Sequence, residues 1–419
     1  MTKNWPIVAA SFLTIVFTFG IPTMVMPVIY APIIDEFGWG RAQVTFVATL
    51  KFGAGAVFGI FFGVLVDKFS IRKIVVVASC VSIIAMLGFL WVQSLWQFYL
   101  VGLVMGMGSI SCMIAIKVLV SQRFMHQQGL AIGSALLGTS VAGTFTPPLA
   151  TWLISIYGWR MTVALLSIGI WTVALPVFLR IVKDSQDAET DGAGLADSSL
   201  QTKREESAAA EIDFSDVLKS RSFWMIGLAV GLIGFTDQSL GQHLMLYLIQ
   251  EVNYSPMNAA WIKSAVFAVS IAGKLGFGWL YDKRSVKGIQ LCYFMMAVSV
   301  LLMFPISMLS ALVAFTITRG LSHGGSIVDI PVLSKHCFGP KVLGKTIGIL
   351  TACVTVGFAI GPPLVGYMSD TQGSYRNAFI MLAVASIAAG LSLLSVKTTY
   401  RDRIIALEQS RVQASETSA

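Results

Sequence analysis

The chain is predicted to be an all-α integral membrane protein, with twelve transmembrane helices arranged as two pseudo-symmetric halves of six. Three observations carry that prediction. Apolar runs of about 20 residues, enough to cross a ~30 Å hydrocarbon core as a helix, recur along the sequence. Lysine and arginine crowd into alternate connections between those runs. The sequence also repeats itself at an offset of 215–216 residues.

Only 12% of the 419 residues are charged and 56% are hydrophobic, against about 25% charge in a soluble domain. The predicted spans cover 7–31, 43–66, 74–93, 97–120, 129–156, 161–181, 223–249, 258–280, 289–309, 311–333, 346–368 and 377–396. Helix is the required conformation, because lipid cannot satisfy the backbone of an open strand. The first run is too long for a signal peptide and continues through Pro22, Pro27 and Pro32 without a small-residue cleavage site, so it is read as a retained span. Trp5, Trp39, Trp96, Trp159, Trp224, Trp261 and Tyr375 stand near span ends, where interfacial aromatic belts form. The five cysteines have neither metal-ligand spacing nor a paired framework, and no metal or other cofactor is expected.

Charge sets the topology. Of the 29 Lys and Arg residues, Arg41, Arg160 and Arg376 fall in one set of connections, and Lys51, Lys117, Lys263, Lys274 and Arg319 lie within spans. All the others lie in the opposite connections and the tails. This positive-inside asymmetry places both termini in the cytoplasm and accounts for the net charge of +8 without a nucleic-acid partner.

Residues 184–221 form the one long polar stretch, acidic and rich in Gly, Ser and Ala, which reads as a cytoplasmic linker. It divides an N-terminal half, 1–183, from a C-terminal half, 222–400, and 401–419 form a charged cytoplasmic tail. The end of the linker, Phe214 to Phe223, is apolar enough to lie on the membrane surface. Across the linker, Gly63-Val-Leu65-Val-Asp67-Lys68 matches Gly278-Trp-Leu280-Tyr-Asp282-Lys283, and Gly129 and Gly133 match Gly344 and Gly348. Pro147-Pro148 falls on Pro362-Pro363, and Tyr157-Gly-Trp-Arg160 near Gly373-Ser-Tyr-Arg376. Six spans return the chain to the same side, so the halves are parallel repeats about an axis along the membrane normal, as in many transporters.

Gly63-Val-Leu-Val-Asp67-Lys68-Phe-Ser-Ile-Arg72-Lys73 resembles the G-x-L-x-D-R-x-G-x-R-R/K signature between the second and third helices of the major facilitator superfamily, with Lys68 for the usual Arg and Ser70 for the usual Gly. The resemblance covers the whole chain and implies the major facilitator fold. It also implies that Asp67, Lys68 and Arg72, with Asp282 and Lys283 in the second copy, gate the movement between states. Arg123-Phe124 followed by Gly129-Leu-Ala-Ile-Gly133 and Gly138 is similar to the start of helix five in monocarboxylate and oxalate–formate type transporters. Phe37-Gly-Trp39-Gly-Arg41 is similar to bacterial members of that branch, which implies a bacterial inner membrane. Lys274 sits where that branch places a basic residue on helix eight. The oxalate type has a second base within helix eleven, where this chain has only Lys345 at the helix start. Animal monocarboxylate transporters have an acid four residues before the helix-eight base, where this chain has Ser270.

Gly339-Pro-Lys-Val-Leu-Gly344-Lys345-Thr346 satisfies the letter of a phosphate-binding P-loop. That loop needs a preceding strand and free backbone N–H groups. Here a transmembrane helix precedes it and Pro340 removes an N–H, so no nucleotide is expected. No catalytic constellation of an enzyme is present.

Seven ionisable residues other than His fall within spans: Lys51, Lys117, Asp237, Lys263, Lys274, Arg319 and Asp329. Each costs roughly 2.5–3.5 kcal/mol at mid-bilayer, and together more than a typical folding stability, so they must face one another or a wet cavity. Spans three, six, nine and twelve carry none and are expected to face lipid. Lys263, near the outer end of its span, is expected to snorkel outward, and Lys117 to lie close to the inner face. Lys274 and Asp329 come out at one depth and are expected to pair, and Asp237 lies at a depth similar to Arg319.

Cations outnumber carboxylates, so the cavity should prefer anions. Lys274, Arg319, Lys51 and Lys117 are the candidate anion-binding cations, with Gln238, Gln242 and His243 as neutral donors on span seven. Asp329 and Asp237 are the candidate proton-coupling acids. The sequence thus predicts a secondary active transporter of a small organic anion, a mono- or dicarboxylate, by alternating access with proton symport. Anion exchange, or proton-driven export of hydrophobic compounds, are the alternatives. The partners are the anion, protons and the bilayer, and a monomer would suffice.

Overall fold

The computed structural model describes residues 5–124, 128–182, 213–339, 341–396 and 398, and among these the chain is helical without a strand. The first four spans are Trp5–Phe37, Arg41–Lys68, Ile71–Trp91 and Leu95–Arg123. The fifth and sixth form one helical run, 128–181, turned at Gly158. A short helix, Phe214–Lys219, precedes spans seven and eight, Arg221–Gln250 and Pro256–Arg284. Span nine is Val286–Leu301, span ten combines Leu309–Gly325 with Asp329–Phe338, and the last two are Leu343–Gln372 and Arg376–Ser395. Most of the linker, 184–212, and the tail, 401–419, lie outside the described residues.

Two spans depart from the sequence expectation, and proline explains both. Span nine stops at Leu301, because Pro305 lacks an N–H to bond the Leu301 carbonyl and its ring crowds that carbonyl. Span ten breaks at 326–328, where Gly324 and Gly325 weaken the helix and Pro331 cannot bond back to Ile327. The aromatic belt is also narrower than expected. Trp159 is buried and donates to Glu36 Oε2 (2.7 Å), and Tyr375 is buried beside His243, whereas Trp96, Trp224 and Trp261 are exposed.

Across the halves, span two packs on eleven, five on eight, and one on seven. Spans three, six, nine and twelve make their main contacts within their own halves and expose apolar side chains such as Ile84, Trp171, Val298 and Val384. The four spans expected to face lipid are therefore the peripheral ones, whereas spans one, five and eleven, equally free of intramembrane charge, pack between the halves.

The repeat is visible in backbone detail. Gly158 and Gly373 both adopt left-handed φ, 73° and 69°, at equivalent turns between spans five and six and between eleven and twelve. Pro148 and Pro363 each remove the N–H that would bond the carbonyl four residues earlier, Thr144 and Ala359. Those two carbonyls accept hydrogen bonds from the opposite half: Ser264 Oγ donates to Thr144 O, and Thr49 Oγ1 donates to Ala359 O. Both members of one pair match the other at the repeat offset. The halves are thus joined by a symmetric pair of hydroxyls reaching into proline gaps.

Other inter-half bonds cluster at the same level or towards the face opposite the termini. Tyr30 Oη donates to Gln242 Oε1 (2.8 Å), and the backbone N–H groups of Arg41 and Ala42 donate to the Asp370 carboxylate (3.1 and 2.9 Å). Among the described residues, the inter-half hydrogen bond nearest the terminal face is Lys274 to Thr139, and Gly133, Gly344 and Gly348 beyond it border open space. Among the described residues, the hydrogen bonds between the halves thus concentrate away from the terminal face.

A buried carbonyl stripped of its partner costs about 1–3 kcal/mol. Thr49→Val and Ser264→Ala should each lower the thermal stability of the purified protein accordingly, and the double variant should show the sum. A double variant that unfolds at the wild-type temperature would mean that neither hydroxyl fills its proline gap.

Candidate functional site

Helical spacing brings four faces together between the halves. Span seven presents Asp237, Gln238, Gly241 and Gln242, and span ten presents Arg319 and His323 one turn apart. Lys263, Val266 and Phe267 come from span eight, and Thr23, Met24 and Pro27 from span one. These faces enclose a cavity of about 70 Å³.

At one wall stands a buried ionic cluster. Arg319 Nη1 lies 2.6 Å from Asp237 Oδ1, and Nη2 donates to the Asp237 backbone carbonyl at 3.0 Å. His323 Nδ1 donates to the same carboxylate, at 2.8 Å to Oδ1 and 3.1 Å to Oδ2. Asp237 and Arg319 are 8% and 4% exposed, so the pair is held away from water. Phe267 packs edge-on against the His323 ring and fixes its plane.

Lys263 lines the same cavity. Sequence depth alone sent it outward, but it is 2% exposed and turns inward, its Nζ donating to the Gly241 carbonyl at 2.7 Å. The signal that marks it is azimuth: Lys263, Phe267, Ser270 and Lys274 fall on one face of span eight. His323 was missed because the sequence count left histidines out, although it lies four residues after Arg319.

The remaining candidates divide. Gln238 and Gln242 line the cavity. Lys51 lies in an adjoining cleft shared with Thr23 and Gln242, donates to Thr23 Oγ1 (2.6 Å), and has its ammonium over the Phe19 and Phe52 rings. Lys274 and Asp329 are not partners. Lys274 donates to Thr139 Oγ1 on span five (3.0 Å), whereas Asp329 accepts from Tyr293 Oη and the Ile330 N–H, both 2.6 Å, on the span-nine side of the break. Equal depth did not mean equal direction. His243 faces span eleven, donating to the Pro362 carbonyl and accepting from Tyr375, and does not line the cavity. Lys117 is half-buried on span four, away from the cavity lining.

Of the gating candidates, the side chains of Asp67 and Lys68 lie outside the described residues. Arg72 donates to the Leu179 carbonyl at 2.9 Å, Asp282 is exposed, and Lys283 stands over the Trp279 ring at 4.1 Å. The contact that visibly seals the halves is another, unmarked in the sequence. Asp370 caps the start of span two, while Arg41 donates to Gln250 Oε1 (2.9 Å) and covers the Tyr375 ring.

The profile of the Major Facilitator Superfamily matches residues 11–328 and 285–418. The chain belongs to this superfamily, and it is a multi-pass membrane transporter, not an enzyme. Among its relatives is monocarboxylate transporter 12 of Mus musculus, 26% identical over 348 residues, covering 76% of this chain and 71% of that protein. Monocarboxylate transporter 13 of Bos taurus is 24% identical over 396 residues, covering 93% and 88%. The fold is similar to that of a bacterial homologue of the human lysosomal transporter Spinster in an inward-facing, unoccupied conformation, with a TM-score of 0.71 and 16% identity over 96% of this transporter and 97% of that chain.

Breaking a buried pair on one side costs the transporter about 3–5 kcal/mol, while replacing both members is far less harmful. Arg319→Gln and Asp237→Asn should each lower thermal stability, and the double variant should recover much of the loss. Additive losses in the double variant would show that the two side chains do not act as a pair.

Proposed function

We propose that this transporter carries a small monocarboxylate anion together with a proton, by rocking of its two halves around the cavity between spans one, seven, eight and ten. The observation that carries this reading is the charge of that cavity. Lys263 and Arg319 face a single carboxylate, Asp237, which leaves one positive charge when His323 is neutral. One carboxylate balances it, and a dicarboxylate would leave a negative charge in a dry site. Met24, Pro27, Val266 and Phe267 offer an apolar wall to a short hydrocarbon body. The resemblance to proteins named monocarboxylate transporters supports the same class.

Proton coupling follows from His323. An imidazole can hold a second proton, and this one touches Asp237 at the cavity wall. A proton on His323 would raise the empty cavity from one positive charge to two, but the anion-loaded cavity only from zero to one. Proton and anion therefore favour each other's binding, and by linkage the coupling is reciprocal. Asp329 lies outside the cavity lining and is the second candidate for the proton.

Alternating access would require the distal contacts to part: Tyr30 with Gln242, Arg41 and Ala42 with Asp370, and the two hydroxyl–carbonyl pairs at the prolines. The charge asymmetry supports placing the terminal face in the cytoplasm.

Reconstituted protein should accumulate labelled pyruvate or butyrate under a proton gradient directed with the substrate. His323→Gln should lose gradient-driven accumulation while retaining counterflow between labelled and unlabelled substrate. Failure to move any monocarboxylate of two to six carbons would contradict the substrate class, and a fully concentrative His323→Gln variant would contradict the coupling.

A further inference from the structure

We propose that the carboxylate of the transported anion is held by Lys263 and Gln238, and that Arg319 is not its anchor. This assignment rests on the monocarboxylate reading above and names the groups that would recognise the anion.

Arg319 is the obvious candidate by chemistry, yet both its terminal nitrogens are already engaged. Both terminal nitrogens are bound to Asp237, one through the carboxylate and one through the backbone carbonyl, and the carboxylate is shared with His323. An incoming anion that took the place of Asp237 on the terminal nitrogens would expel a buried acid from its partner. That exchange strands Asp237 in a place where ions are costly to leave unpaired.

Lys263 has the opposite balance. It is 2% exposed, and among the described residues no carboxylate lies within ion-pair distance of it. Its ammonium carries three N–H donors, of which the Gly241 carbonyl takes one at 2.7 Å. A buried cation with one neutral acceptor is incompletely satisfied, and a carboxylate is the group that completes it.

Gln238 supplies the second donor. Its Nε2 is buried and has no hydrogen-bond partner. Gln238 precedes Gly241 by three residues on span seven, one turn along the same face and about 4.5 Å along the axis. The ammonium rests against Gly241, so the lysine head and the orphan amide flank one stretch of the helix. A carboxylate's two oxygens suit two such donors.

Gly241 supplies the room. A methyl group built there would meet nothing within 4 Å. It has neither the left-handed φ nor the close helix contact that would demand glycine. The bare backbone leaves space for a ligand beside both donors, and Met24, Pro27 and Leu244 line the same cavity for its apolar end. The other buried cation near by, Lys51, is directed to Thr23 and two aromatic faces in the adjoining cleft.

The test is equilibrium binding of pyruvate, and of its neutral amide pyruvamide, to the purified full-length protein. Wild type should prefer pyruvate strongly. Lys263→Met should weaken pyruvate binding about 10- to 100-fold, the loss of a charge-assisted hydrogen bond, and bring the pyruvate-to-pyruvamide ratio close to one. Lys263→Arg should restore part of the preference, and Gln238→Leu should weaken pyruvate by a smaller factor. A role limited to pinning span eight to span seven would alter stability and leave the ratio unchanged. Retention of the wild-type ratio in Lys263→Met, or in Gln238→Leu if the lysine variant does not fold, overturns the anchor while the monocarboxylate reading stands. If wild type binds neither pyruvate nor any other short monocarboxylate, both fall together.

Discussion

Hydrocarbon offers no hydrogen-bond partners, and most of what is distinctive in this transporter follows from that constraint. A proline within a span exposes a carbonyl that must be satisfied by protein. Pro148 and Pro363 each create such a gap, and each gap is filled by a hydroxyl from the other half. The groups that weaken a helix are thereby the groups that join the halves. Because the two junctions are repeat-related, the halves touch symmetrically around a central axis. The Asp370 cap on span two is an additional, unsymmetric seal at the distal end.

The same constraint shapes the charges. Asp237 is surrounded by Arg319 and His323, so its negative charge is spent within the protein. Among the described residues, Lys263 is supported only by a backbone carbonyl. The cavity is therefore divided into a satisfied wall and an incomplete one, and the ligand belongs to the incomplete one. On this reading the ionic cluster keeps the site in shape and registers the proton, while the lysine and the orphan amide recognise the anion.

Much of the fold was legible in sequence because lipid enforces it. Span lengths and the peripheral position of spans three, six, nine and twelve follow from it. The ends of spans nine and ten were less legible, since Pro305, Pro331 and the Gly324-Gly325 pair interrupt runs that hydrophobicity alone joins. The site was partly legible. Counting residues from a span end gives depth but no direction, so Lys274 and Asp329 share a level yet face spans five and nine. Lys263 is the converse case, near an end by count and buried by direction. The role of Thr49 and Ser264 was hidden for another reason. The prolines read as markers of the repeat, and their freed carbonyls become visible only once the opposite half is in place.

The most direct measurement is an experimental structure of the full-length protein with butyrate bound. The account predicts the carboxylate between Lys263 Nζ and Gln238 Nε2, the hydrocarbon tail towards Met24 and Pro27, and the Arg319–Asp237 pair still intact. A carboxylate on Lys51 or Lys274, or one that has displaced Asp237 from Arg319, would contradict it.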